Sequence, residues 1–83
     1  MWKITYDLTE KKFVDIFGPG CTKKTKGLIY PFRLLDGDGN VYYEGLSTDC
    51  DSERAFDPLD DYGTPNAGCA DIQYKRGGKW ESL

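Results

Sequence analysis

The chain has 83 residues, 30% of them charged and 39% hydrophobic, with a net charge of −3. That length suits one small domain, 1–83, which buries roughly 60 to 65% of its unfolded surface and leaves no room for a second core. No apolar run approaches the ~18 residues of a membrane-spanning helix, and the complete absence of histidine removes the commonest general base and the commonest zinc ligand.

Taken in order, Trp2, Ile4, Tyr6 and Leu8 alternate with Lys3, Thr5 and Asp7, the period of a half-buried strand. Phe13 to Phe17 follow. They read either as a returning strand after the turn Thr9-Glu10-Lys11-Lys12 or as part of a short helix capped by Thr9 and ended by Gly18-Pro19. The strand is favoured, because β-branched and aromatic residues dominate and a helix would place Glu10 within its apolar arc. Residues 18–27, with three glycines, a proline and three lysines, form a loop.

Tyr30 to Gly45 reads as a β-hairpin. With Asp38-Gly39 as a type I′ turn, Gly37 faces Asn40, Asp36 faces Val41, Leu35 faces Tyr42, Leu34 faces Tyr43 and Arg33 faces Glu44. Phe32, Leu34, Val41 and Tyr43 then share an apolar face, and Arg33 pairs with Glu44 across the strands, worth only about 0.2 to 1 kcal/mol. Pro31 requires an edge strand or an outward-facing nitrogen.

The long connection from Ser47 to Gly68 carries most of the acidic charge. Ser52 before Glu53-Arg54-Ala55-Phe56 suggests a helical turn, and Pro58 begins a second one, closed by Gly63. Phe56, Leu59 and Tyr62, three residues apart, are expected to pin it to the sheet. The chain closes with a third hairpin, Ala70–Lys75 and Trp80–Leu83, turning at Gly77-Gly78. The expected fold is thus mainly β (α+β): a small antiparallel sheet of four to six strands built from hairpins, with one short helical segment.

Charge divides along the chain. Residues 1–33 carry seven basic and three acidic side chains, +4; residues 34–83 carry four and eleven, −7. The favoured reading is that the two halves neutralise one another on folding. Cys21, Cys50 and Cys69 form no C-x-x-C unit, and an odd count suits a reducing compartment, so each is read as a small buried hydrophobe. Met1 to Tyr6 lacks the apolar core of a secretion signal, and a cytoplasmic location is expected. Asp36, Asp38 and Asn40 match the first three oxygen ligands of a calcium loop. That pattern then requires Gly where Val41 stands and Glu where Ser47 stands, so the residues are assigned to the turn.

The blocks FRLLDGDGNVYYEG and AFDPLDDYGTPNAGCADIQYK resemble small proteins of bacteria and their phages or plasmids that share FRLLD-x-DG-x-x-YYEG and PLDDFGTPNAGC segments over roughly residues 31 to 75. That group has no established activity, so the resemblance carries over no functional residue. It implies a cytosolic, mobile-element setting in which small proteins bind and block a host component.

No catalytic, cofactor or metal residue stands out. The sequence points to a non-enzymatic protein-interaction module, an inhibitor of a host protein, acting through an acidic surface at Asp57, Asp60, Asp61 and Tyr62. The alternative is nucleic-acid binding through the Lys23, Lys24 and Lys26 loop, with Tyr30 or Phe32 beside it to stack on bases.

Overall fold

The computed structural model describes all 83 residues, Met1–Leu83. Six strands, β1 (Trp2–Asp7), β2 (Lys12–Phe17), β3 (Tyr30–Leu35), β4 (Val41–Ser47), β5 (Asp71–Arg76) and β6 (Lys79–Ser82), form one antiparallel sheet in the order β2-β1-β4-β3-β5-β6. Residues 53–67 supply the one short helical segment. No helix is long and apolar enough to cross a membrane.

All three hairpins form, and the first thirty residues belong to the same sheet, because β1 pairs with β4 as well as with β2. Residues 12–17 are strand, as their β-branched and aromatic content suggests. The loop 18–29 then passes across the end of β1 and β4 to reach β3, which lies between β4 and β5. Pro31 therefore sits in an inner strand and not at an edge. Pairing with β5 starts one residue later, at Phe32↔Tyr74, so the proline breaks no rung on that side.

Two of the turns are informative together. Gly77 and Gly78 both have positive φ, 56° and 81°, as a two-residue type I′ hairpin requires. At the central hairpin only Gly39 does, at 86°. The Asp36 carboxylate accepts hydrogen bonds from Asp38 N at 2.9 Å, Asn40 N at 2.9 Å and Asn40 Nδ2 at 3.0 Å, and Gly39 N donates to the Asp36 carbonyl at 3.2 Å. An aspartate satisfying the backbone in this way favours a three-residue loop, which spares Asp38 the left-handed conformation. The expected type I′ register is therefore corrected at the tip. Leu35 pairs with Val41 instead of Tyr42, Tyr42 becomes a bulged residue, and Leu34↔Tyr43 and Arg33↔Glu44 are restored beyond it. Val41 accordingly joins the face of Leu35 and not that of Phe32 and Leu34.

A second bulge lies at Thr5. Ile4 pairs with Gly45 and Tyr6 with Glu44, so Thr5 is an extra residue relative to β4. The simple alternation of Trp2, Ile4, Tyr6 and Leu8 fails there. Trp2 and Ile4 enter the core, whereas Tyr6 turns to the opposite face and meets Phe13 edge-on at 4.8 Å between ring centroids. Asp7 becomes buried, and its carboxylate accepts from Thr9 N at 2.8 Å, Thr9 Oγ1 at 2.5 Å and Glu10 N at 3.2 Å. Burial pushes its pKa up, but these hydrogen bonds together outweigh burial and hold it below the ordinary carboxylate value.

The core lies on one face only. Trp2, Ile4, Phe32, Leu34, Tyr43, Ile72 and Tyr74 project from the strands, and Ala55 and Cys69 close over them from the connection, residues 48–70. Ser52 caps the first turn by accepting from Arg54 N at 3.2 Å. The helical path does not stop at Gly63. Gly63 has helical angles (φ −61°, ψ −52°), and the segment ends five residues on, where Gly68 takes the left-handed conformation, φ 66°. Gly63 is there for proximity: a Cβ would lie 3.0 Å from Leu34 Cδ1 and 3.1 Å from Cys69 Cβ. The anchors also differ from the expected three. Leu59 and Tyr62 pack on the core, as do the buried Ala55 and Pro58, while Phe56 is 39% exposed. Tyr74, fully buried, donates its hydroxyl to the Ala55 carbonyl at 2.8 Å, and burial pushes its pKa up to about 12.

Candidate functional site

The connection places the acidic residues on the core-covering side of the sheet. Asp51, Glu53, Asp60 and Asp61 are exposed and Asp57 is half-buried. Asp49 is used structurally: its carboxylate accepts from Asp51 N, Ser52 N and Ser52 Oγ, and the Ser52 hydrogen bonds hold it below the ordinary carboxylate range. Of the four residues expected to meet a partner, Asp60 and Asp57 make no side-chain hydrogen bond or ion pair. Asp61 accepts from Trp2 Nε1 at 3.4 Å. Tyr62 is an anchor, its ring 5.9 Å from Trp2 and 5.1 Å from Tyr43 between centroids. The four residues are thus near one another, but only the carboxylates are free to reach outward.

The expected self-neutralisation does not occur through ion pairs. The molecule has two, Lys3–Asp15 at 3.8 Å and Lys12–Glu10 at 3.2 Å, both inside the first hairpin. One cation reaches the connection from the sheet, Arg76, and it donates to the Cys50 carbonyl, not to a carboxylate. The negative charge of the connection is therefore uncompensated by direct contact.

The opposite face of the sheet is uncovered. All three surface concavities open on it, with volumes of about 620, 370 and 400 Å³. Lys23 lines the largest, beside Lys3 and Phe17; Lys24 and Lys26 do not line it, though both are exposed in the same loop. Tyr30 is 37% exposed at the start of β3, whereas Phe32 is fully buried in the core and is not free to stack on a base. On β1 and β2, Lys3 stands over the Phe17 ring at 5.7 Å, and Phe13 is 86% exposed.

At the other side, Arg33 lies over the Trp80 ring at 4.7 Å and Lys75 at 6.0 Å, and Arg33 Nε donates to Gln73 Oε1 at 2.7 Å. The expected Arg33–Glu44 ion pair is absent although the register is right. Arg33 is drawn instead to β5 and β6, where an acceptor and an aromatic face offer a geometry suited to a planar guanidinium.

The thiols and the central turn offer little chemistry. Cys21 and Cys69 are buried and Cys50 is half-buried, all three unpaired. Burial pushes the Cys69 thiol up, away from the nucleophilic thiolate. Both oxygens of Asp36 are occupied by turn hydrogen bonds, and nowhere do three Asp, Glu or Cys side chains converge on one point. Comparisons of the chain with family models, curated proteins and solved structures gave no match.

Charge sign could be read along the sequence, but the cation-bearing open face could not. It depends on the strand order that brings Arg33, Lys75 and Trp80 together from three strands. The one available signal was the run of polar and aromatic residues at alternate positions, Lys3, Asp15 and Phe17, and Gln73 and Lys75.

Proposed function

We propose that this chain is a non-enzymatic binding module that docks on a basic protein surface through the acidic connection, in the manner of a mobile-element inhibitor of a bacterial host protein. The observation that carries the reading is that the outward carboxylates of the connection have no cationic partner, although the same chain holds eleven Lys and Arg residues. Such an uncompensated patch steers association with a cationic surface and is sensitive to salt. The covalently unpaired cysteines accord with action in a reducing cytosol. The absence of histidine and the raised Cys69 pKa favour binding over catalysis.

The test is affinity capture from a bacterial lysate with the wild type and with Asp57→Asn, Asp60→Asn and Asp61→Asn combined. The amide at position 61 retains an acceptor for Trp2, so the fold is preserved. A partner held by the wild type and lost with the triple variant is the expected result. Equal recovery with both would refute docking through these residues.

A further inference from the structure

The open face has features that the acidic docking surface does not use. Four cations border it, Lys3, Lys23, Arg33 and Lys75, against three carboxylates, Asp15, Glu44 and Asp71, the last accepting from Ser82 Oγ at 2.8 Å. Asp15 is already engaged with Lys3. The aromatic groups are accompanied by these cations: Lys3 with Phe17, and Arg33 and Lys75 with Trp80.

We propose that this face binds single-stranded nucleic acid, with Trp80 and Phe17 stacking on unpaired bases and Lys3, Lys23, Arg33 and Lys75 meeting phosphates. A protein partner would also use aromatics and arginine, but a surface where cations outnumber acids four to three and accompany the half-buried rings complements a polyanion whose bases present π-faces. A duplex keeps those faces stacked and cannot use the rings. From β2 to β6 there are five strand spacings, about 24 Å at ~4.8 Å each. That is room for a few nucleotides, the lower end of the ~4 to 16 occupied by comparable sheet surfaces.

The net charge of −3 does not forbid this. The acids of the connection stand beyond the sheet, across a packed layer on the order of 10 Å thick, comparable with the ~8 Å screening length at physiological salt. Glu44, in the middle of the face and without an ion pair or side-chain hydrogen bond, is the carboxylate that opposes the ligand most directly; Asp71 lies toward the β5–β6 edge and is engaged by Ser82. The site also differs from the lysine loop as such, because Lys24 and Lys26 do not line the face.

The experiment is fluorescence anisotropy of a labelled twelve-nucleotide single-stranded DNA and RNA at low salt, with quenching of Trp80 emission read in the same titration. Binding is expected, with Trp80 quenched, and with log affinity falling against log salt with a slope of about −2 to −3 for three or four phosphates. Trp80→Ala should weaken binding about ten- to hundredfold. Because that change touches packing on β6, Lys23→Glu and Lys75→Glu, both at exposed positions, serve as variants that leave the fold intact. Together they should abolish binding, Glu44→Gln should strengthen it, and Asp60→Asn on the far side should change it less than twofold.

Failure of the folded wild type to bind either strand at low salt would overturn the proposal. So would affinities unmoved by the double charge reversal, or a duplex binding as tightly as a single strand. Sedimentation is expected to give a monomer; a dimer that Trp80→Ala dissociates would assign the face to a second copy instead. None of these outcomes bears on capture of a protein by the acidic connection, so the two readings fail separately.

Discussion

The two faces of the sheet are built from the same strands and differ in what lies over them. On one, Phe32, Leu34, Ile72 and Tyr74 are covered by the connection and are at most 1% exposed. On the other, no second layer lies over Lys3, Phe17, Arg33 and Trp80, which are half-buried against one another and, for Lys3 and Phe17, beside the loop 18–29. A strand contributes alternate residues to the two sides, so one set seals the core beneath the connection and the other is left on the open side. The connection, residues 48–70, acts as the second layer of the structure, and it presents acids outward while burying Ala55, Pro58 and Gly63 inward.

The sharpest way to break this comparison is to truncate one phenylalanine on each face. Phe32→Ala empties a fully buried site and should cost about 3 to 5 kcal/mol. Against a total stability of order 4 to 12 kcal/mol for a chain this size, that removes about a quarter or more of it and should lower the urea midpoint accordingly. Phe13→Ala, at 86% exposure, should change the same midpoint by less than about 0.5 kcal/mol. Equal losses would mean that the open face is covered.

Between these extremes stands the buried hydrogen bond that ties the connection to the sheet. Tyr74→Phe removes the hydroxyl that meets the Ala55 carbonyl and should cost about 1 to 2 kcal/mol. The same tyrosine gives a pH signature. Its folded pKa, about 12, lies above its ordinary value of 10.0, so below pH 10 both states keep the proton and stability is unaffected. Between pH 10 and 12 the unfolded chain loses the proton while the folded one retains it, and stability falls by up to about 1.4 kcal/mol per pH unit. Burial or a nearby carboxylate also raises Tyr42, Tyr43 and Tyr62, so denaturation midpoints of Tyr74→Phe should show a shallower alkaline fall than the wild type, not its loss.

Much of the fold was legible because it depended on local chemistry. Gly77-Gly78 can only be a turn with positive φ at both positions, and Ser52 followed by Glu53 marks a helix start whatever surrounds it. The tip of the central hairpin was misjudged for a physical reason. Asp-Gly suggests a two-residue turn, but the preceding Asp36 carboxylate satisfies three N–H groups and selects a longer loop. Gly63 looked like a stop signal and is instead a contact residue under Leu34, a role set by tertiary packing alone. The bulges at Thr5 and Tyr42 arise between strands and have no local signature.

The candidate surfaces divide in the same way. The acidity of Asp57, Asp60 and Asp61 was plain, but the use of Tyr62 as an anchor depended on where Trp2 and Tyr43 would lie. Arg33 was placed correctly opposite Glu44, and its departure toward Gln73 and Trp80 followed from β5 and β6 joining the sheet beside β3.

The two tryptophans report on the two faces, Trp2 at 4% exposure within the core and Trp80 on the open side. Acrylamide quenching of the wild type and of Trp80→Phe therefore tests the division most directly. The account expects the emission remaining in Trp80→Phe, which comes from Trp2 alone, to be blue-shifted and resistant to quenching, and the emission lost with Trp80 to be readily quenched. Ready quenching of Trp2, or protection of Trp80 in the free protein, would contradict a sheet with one sealed face and one open face.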